Sequence, residues 1–232
     1  LAKFLVNGYL IHIPNHLMND HIRRSMENER YEGHESVAVK RHIVAGDRVL
    51  ELGAGVGYIA MQIASRIGGE NLMTVEANPK MAPVVEKNLA ANLIEGVTVI
   101  NAAVVPDSHA ADHVTFHMTA AFWASSLNPT LAKKWKTTKS IDVPAVKIGD
   151  LMQDHKPSVV IMDIEGGEQG LFDAPWPDHV RLLVIELHPQ LYGDEVIQQI
   201  FDQMSASGLT YCPAGSRGQV VVFKRIGDKT TS

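Results

Sequence analysis

The sequence predicts an α/β domain: a seven-stranded, mostly parallel, doubly wound (Rossmann-like) sheet with an antiparallel last strand and an N-terminal extension. Three observations carry this expectation. From Arg48 onward, short β-rich runs alternate with helical patterns, the order that builds βαβ units. The runs are apolar almost without interruption, as strands covered on both faces are. The chain then closes on two strand-like runs, "TYCPA" and "QVVVFKRI", joined by a short turn. That ending suits a final antiparallel strand.

The elements follow in order. "FLVNGYLIHIP" reads as a hairpin about Asn7-Gly8, a pair that favours a tight turn. "HESVAVKRHI" reads as a helix, so residues 1–47 form an extension or cap before the first core strand. The core strands are "RVLELG", "NLMTVEA", "VTVINAAV", "SVVIMDI", "RLLVIEL" and "QVVVFKRI". Helical patterns lie at Tyr58–Ile67, Lys80–Leu93 and Asp194–Ser207. Residues 105–148 break the rhythm with "VTFHM", a loop holding Trp123 and Trp135, and "IDVPAVKI". They form an extra strand pair or a lid inserted before the fourth core strand. The core domain spans 48–226, and the tail "GDKTTS" at 227–232 is expected to be disordered.

Composition narrows the partners. A chain of 232 residues is long enough for one domain with a sizeable core. A net charge of −5 gives no general attraction to a nucleic-acid backbone or an anionic membrane, so neither is expected as a partner. No apolar run reaches the length of a membrane span. With Cys212 alone, no disulfide forms within the chain, and a reducing, cytoplasmic setting is expected. The first residue is Leu1, which leaves a removed targeting segment open. The lysine-rich "KKWKTTK" at 133–139 reads as a solvated loop.

"RVLELGAGVGYIA", residues 48–60, carries the first chemistry. A strand ending in Glu51-Leu52-Gly53 must turn sharply into a helix, and Gly53 and Gly55 can take positive φ where a ligand comes close. Gly57 lets the new helix pack tightly on the strand. A dinucleotide fingerprint wants Gly-x-Gly-x-x-Gly, but the third such position is Tyr58. Glu51 beside the turn would repel a pyrophosphate and suit a cationic ligand. Glu76 ends the second strand, where an acid can accept both hydroxyls of a ribose. Asn101 to Val104, after the third strand, leave room for a flat base.

"ELGAGVG", "VEANP" and "NAAV" in this order resemble the class I S-adenosylmethionine-dependent methyltransferases, over roughly residues 48–226. The resemblance implies S-adenosyl-L-methionine as cofactor. It implies contacts from Glu51, Gly53, Ala54, Gly55 and Gly57 to its methionine part. Glu76 would hold the ribose and the third strand end at Asn101 and Ala102 would flank the adenine, with Ala77, Asn78 and Asp163 also in the cofactor-binding set.

"VVIMDIEGGEQGLF" then presents Asp163, Glu165 and Glu168 as a strand gives way to a turn, and "LLVIELHP" ends in Glu186 and His188. In open α/β sheets, ligands sit outside the carboxyl ends of the strands. This segment is similar to the FkbM family of O-methyltransferases, with its Asp-x-Glu-Gly-x-Glu stretch and a strand ending in Glu and His. Glu51 stands where Asp is frequent in that family. The resemblance implies methyl transfer to a hydroxyl of a small molecule such as a sugar or polyketide. Asp163, Glu165, Glu186 and His188 are the candidate catalytic residues, one of them accepting the hydroxyl proton. Crowded acids raise one another's pKa, which fits such a base to neutral pH. A divalent ion ranks below a metal-free base because the ligand set is not diagnostic, so no metal ligands are assigned. The plainer alternative is that these acids bond loop amides or cap the next helix.

Rival readings are an NAD(P)-dependent oxidoreductase, a non-catalytic nucleoside-binding module with the same fold, and a nucleic-acid methyltransferase. Glycine spacing counts against the first. Charge, and the lack of an Asn/Asp-Pro-Pro-aromatic segment, count against the last. Tyr31, Glu32 and Glu35 could fold over the cofactor's methionine end. Alternatively, that segment is a packing helix or the contact of a homo-oligomer.

Overall fold

The structure is a computed structural model that describes residues 1–119, 127 and 139–229. Trp123, Trp135, the lysines at 133–136 and residues 230–232 lie outside the described residues. A hairpin of β1 (Ala2–Val6) and β2 (Tyr9–Ile13) opens the chain. Its turn residues Asn7 and Gly8 both take positive φ, 48° and 87°, as the tightest hairpin turn requires. Helices α1 (Asp20–Glu27) and α2 (Gly33–His42) follow. The core alternates β3 (Val49–Leu52), α3 (Tyr58–Ile67), β4 (Leu72–Val75), α4 (Ala82–Ala91) and β5 (Thr98–Ile100). After the inserted β6 (Ala103–Val105), β7 (His113–Met118) and β8 (Lys139–Lys147) come α5 (Ile148–His155), β9 (Val159–Met162) and β10 (Leu182–Glu186). Helix α6 (Asp194–Ala206), β11 (Leu209–Arg217) and β12 (Val220–Arg225) complete the chain.

The main sheet has seven strands in the order β11-β12-β10-β9-β3-β4-β5. Strands β10, β9, β3, β4 and β5 run parallel, and β12 is antiparallel to both β10 and β11. This is the mostly parallel sheet that the sequence predicts. Strand alternation divides the core in two. Val159 and Ile161 of β9 join the cluster beneath the hairpin and α2–α4, whereas Val160 and Met162 join the cluster beneath α5 and α6. Both faces are covered, which is why these strands read as continuous apolar runs.

Three expectations change. "VTVINAAV" is two strands, because the chain turns at Asn101-Ala102, where Asn101 Nδ2 donates to the Glu76 carbonyl oxygen at 2.7 Å. Strand β5 ends the main sheet, and β6 joins a small sheet in the order β6-β8-β7. Of the two readings of the insertion, β7 and β8 form the extra antiparallel pair. Within the segment expected to be disordered, Asp228 pairs with Arg181 at 3.2 Å, and residues 230–232 lie outside the described residues. Among the described residues, no helix is long and apolar enough to cross a membrane.

The N-terminal hairpin is stitched to α4. Asn88 Oδ1 accepts from the His12 amide at 2.8 Å, and Asn92 Oδ1 accepts from the Leu10 amide at 2.9 Å. Val6, Ile11, Ile13, Ile22 and Met26 are buried in the same cluster as α3 and the sheet. Residues 1–47 therefore share the core and bring Tyr31 and Glu32 to the glycine loop.

Candidate functional site

The strand order reverses between β3 and β9. From β3 the chain steps outward through β4 to β5, then returns to β9 on the other side of β3. The carboxyl ends at such a reversal leave a crevice. Here the Asp163 amide donates to the Leu52 carbonyl, joining β9 to β3, and the Gly53 amide to that of Val75, joining β3 to β4, both at 2.9 Å. A side chain at Gly53 would put its Cβ 1.7 Å from the Asp163 carbonyl oxygen. Only glycine fits there, and its φ of +90° is one glycine takes freely. Gly57, at φ +82°, approaches Val85 of α4, so the close packing it permits is against that helix and not the strand.

The cleft over these tips is lined by Gly53, Gly55, Glu76, Ala77, Ala102 and Asp163 from the predicted cofactor set, together with Glu165. Glu76 Oε2 accepts from the Gly55 amide at 2.9 Å and Oε1 from the Asn78 amide at 2.8 Å. Each oxygen keeps acceptor capacity toward the cleft. Burial pushes this carboxyl up to about 7, against the pull of those amides. The other five lie outside the lining. Glu51 is 1 % exposed and accepts from the Thr74 hydroxyl, and burial pushes it up to about 8. Ala54 is buried, and Gly57 packs on α4. Asn78 caps the turn into α4 by accepting from the Lys80 amide at 3.0 Å, while Asn101 ties β5 to the end of β4.

Sequence reasoning missed the far wall. Phe116 of β7 and Val104 of β6 line the cleft. The small sheet thus closes the side beyond β4, and in sequence it reads only as an interruption. Tyr31 and Glu32 line the cleft's other end, beside Gly55. Glu32 takes a left-handed φ of 45° at the start of α2. Non-glycine residues hold that conformation only where the surroundings impose it.

A second crevice of about 620 Å³ adjoins the first and shares Tyr31, Glu32, Asp163 and Glu165 with it. Glu29, Glu35, Glu186, Arg30 and Arg217 also line it. Behind Asp163, Glu165 and Glu186 of its wall lies His188, 2 % exposed. Its Nδ1 stands 3.0 Å from Glu168 Oε1, while Nε2 lies 3.4 Å from Asp163, 3.5 Å from Glu165 and 3.9 Å from Glu186. All four predicted catalytic residues therefore meet. Glu165 is turned toward the histidine by a left-handed φ of 50°. Glu168, wholly buried, is the orienting carboxylate, a role its position in the Asp-x-Glu-Gly-x-Glu stretch only hinted at.

The electrostatics follow from burial and crowding. Burial, then the neighbouring Glu165 and Glu186, hold Asp163 well above the usual carboxylate range. Burial likewise raises Glu165 and Glu35 to about 7 each. For His188, burial would lower the pKa, but the bond to Glu168 and the surrounding acids reverse the sign and raise it. Near neutrality the cluster thus holds and exchanges protons.

Residues 22–128, just under half the chain, match the family model of the TRM5/TYW2 methyltransferase domain. Solved structures resembling the fold include the ribosomal protein L11 methylase of Lactobacillus delbrueckii subsp. bulgaricus. It is 10% identical with a TM-score of 0.48, covering 86% of this chain and 81% of that one. TYW2 of M. jannaschii, solved with AdoMet, is 14% identical with a TM-score of 0.43, covering 97% and 86%. The tRNA (m1A58) methyltransferase of Aquifex aeolicus is 14% identical with a TM-score of 0.39, covering 84% and 68%. Among curated proteins no match was found. The chain has a Rossmann-like methyltransferase fold with a partial match to that family. The expectation that nucleic acid is no partner is corrected by the TRM5/TYW2 match. Net charge, on which that expectation rested, describes the whole surface and not one crevice.

Proposed function

We propose that this protein is an S-adenosylmethionine-dependent methyltransferase that transfers its methyl group to an acceptor hydroxyl. The observation that carries the reading is the junction of two crevices at Asp163 and Glu165. S-adenosylmethionine supplies a methyl group on a sulfonium, ready for in-line displacement. The chain's residues fit this cofactor. Gly53 and Gly55 leave backbone open to it, and the Glu76 carboxylate lies where ribose hydroxyls can donate to it. Glu32 and Asp163 supply carboxylates near a cationic centre.

The second crevice takes the acceptor. Its hydroxyl proton passes to the carboxylate of Glu165 or Asp163, both of which border the two crevices. His188 Nε2 lies behind them, 3.4 Å from Asp163 and 3.5 Å from Glu165. Alignment of the two reactants supplies much of the acceleration. The FkbM-like run Asp163–Glu168 and the Glu186–His188 pair support a hydroxyl acceptor. A second reading, an RNA acceptor, is favoured by the TRM5/TYW2 match and by Arg30 and Arg217 in the crevice wall.

The test supplies radiolabelled S-adenosylmethionine with a panel of hydroxylated metabolites and with total tRNA. Label is expected in one pool and lost with Asp163→Ala, while calorimetry shows S-adenosylhomocysteine still bound. Binding of NADH in place of S-adenosylhomocysteine would remove the proposal.

A further inference from the structure

We propose that Asp163, Glu186 and His188 bind a divalent cation of the Mn²⁺ or Zn²⁺ type at the floor of the acceptor crevice. One ligand atom from each lies within 4.8 Å of the other two. His188 Nε2 is 3.4 Å from Asp163 Oδ1 and 3.9 Å from Glu186 Oε2. Two ligands held about 2.1 Å from one ion, at angles of about 90–120°, stand about 3.0–3.6 Å apart. The His188–Asp163 spacing falls in that range, and the His188–Glu186 spacing lies just beyond it.

Two further observations point to a ligand. Asp163 Oδ1 is buried and has no hydrogen-bond partner, although His188 Nε2 faces it. A buried carboxyl oxygen left so is costly, and a cation satisfies it. His188 is itself 2 % exposed, and its other nitrogen, Nδ1, is held by Glu168 Oε1 at 3.0 Å. A carboxylate on the far nitrogen of an imidazole fixes the tautomer that leaves Nε2 free to coordinate.

Charge argues the same way. Four carboxylates, from Asp163, Glu165, Glu168 and Glu186, surround one imidazole within 3.9 Å. Without an ion, a single imidazolium balances at most one of them; with His188 neutral and coordinating, a divalent ion balances two. Mixed imidazole and carboxylate donors suit Mn²⁺ and Zn²⁺. Glu186 lines the acceptor crevice, so the ion's remaining positions face it. There an acceptor hydroxyl can bind, and its proton is more readily lost, passing to the Glu165 carboxylate.

The catalytic role of the ion rests on the methyltransferase reading, but its binding does not. The test is therefore a titration of metal-free protein with Mn²⁺, following the free-ion electron paramagnetic resonance signal, with Zn²⁺ as competitor. About one ion is expected to bind per chain. Glu186→Gln, at a partly exposed side chain that leaves the core intact, should weaken it about tenfold or more, as should His188→Ala. No saturable Mn²⁺ or Zn²⁺ binding up to about 1 mM would overturn the proposal, and so would an affinity unchanged in Glu186→Gln. S-adenosylhomocysteine calorimetry on the same samples separates the two claims. Ion binding without nucleoside binding leaves the metal site and removes the function, and the converse result does the opposite.

Discussion

Glu168 Oε1 lies 3.0 Å from His188 Nδ1, and neither side chain is more than 3% exposed. The pair is built across two strand ends, β9 and β10, that run parallel in the sheet. The backbone braces it further, because the His188 amide donates to the Tyr192 hydroxyl at 2.8 Å. Glu168 thus positions His188 without reaching either crevice. It is also a principal cause of the raised histidine pKa. Glu168→Gln keeps the shape and removes the charge. Turnover should fall about 10–100-fold while cofactor affinity stays within about twofold. The pH limb set by His188 should move to lower pH, and a merely structural role would leave that limb where it is.

Glu76→Ala removes acceptors from both the Gly55 and Asn78 amides and takes a carboxylate from the cleft wall. S-adenosylhomocysteine affinity, measured by calorimetry, should drop at least about tenfold, the equivalent of about 1.4 kcal/mol. Glu51→Gln is the contrast. Glu51 lies outside the lining and can keep its bond to Thr74, so affinity should change much less.

Much of the architecture is legible because period and glycine chemistry are local. Helix α3 has the bounds Tyr58–Ile67 in both sequence and structure, since Gly57 starts it and Gly68 ends it. Strands buried on both faces declare themselves as apolar runs. The convergence of Asp163, Glu165, Glu186 and His188 is legible because residues just past parallel strands share one edge. What stays hidden depends on distant pairing. Nothing local says that β6 leaves the main sheet for β8, or that Phe116 then walls the cleft. The residue count also hides whether an acid points forward or back. Glu51 and Glu76 both end strands, yet only Glu76 reaches the cleft.

Asn88 joins three segments. It accepts from the His12 amide and donates to the carbonyl oxygens of His12 and Val56, at 2.8, 3.2 and 2.8 Å. It is fully buried, so Asn88→Ala leaves backbone groups unpaired in the interior. The cost should be about 2–4 kcal/mol, read as a lower midpoint in urea. Because β2 holds α1 and α2 over the cleft, limited proteolysis should also cut within residues 1–47 sooner.

Gly53→Ala sets a methyl group against the Asp163 carbonyl, an atom of the backbone that cannot swing aside. Parting β3 from β9 breaks the join at which the cleft forms. Stability should fall by more than about 3 kcal/mol, and cofactor binding should be lost with it. Gly46→Ala is the control. Its φ is also positive, at +92°, but nothing lies within 4 Å of the added methyl. It should cost only about 1–2 kcal/mol, the conformational penalty alone. Similar losses in the two variants would mean that the tip contact does not limit the site.

The pH dependence of stability has a sign set by the buried acids. Asp163, Glu165, Glu35, Glu51 and Glu76 are all raised when folded, chiefly by burial. A raised carboxyl contributes stability that is complete below its unfolded value and is lost as pH climbs through the folded value. Those folded values reach about 7 for Glu165, Glu35 and Glu76 and about 8 for Glu51. His188, also raised, loses its contribution in the same direction. His42 and His155 oppose this trend: burial lowers both, so their neutral packing is lost as pH falls below about 6.5. The ligand-free protein should therefore lose Tm as pH climbs from about 5 to 8, the five acids outweighing the two histidines below pH 6.5. Saturating Mn²⁺ should flatten that slope, because an ion bound to Asp163 and Glu186 favours ionised carboxylates. A melting temperature that rises from pH 6.5 to 8 without ligand would show the acids to be paired or solvated in ways the folded cluster does not provide.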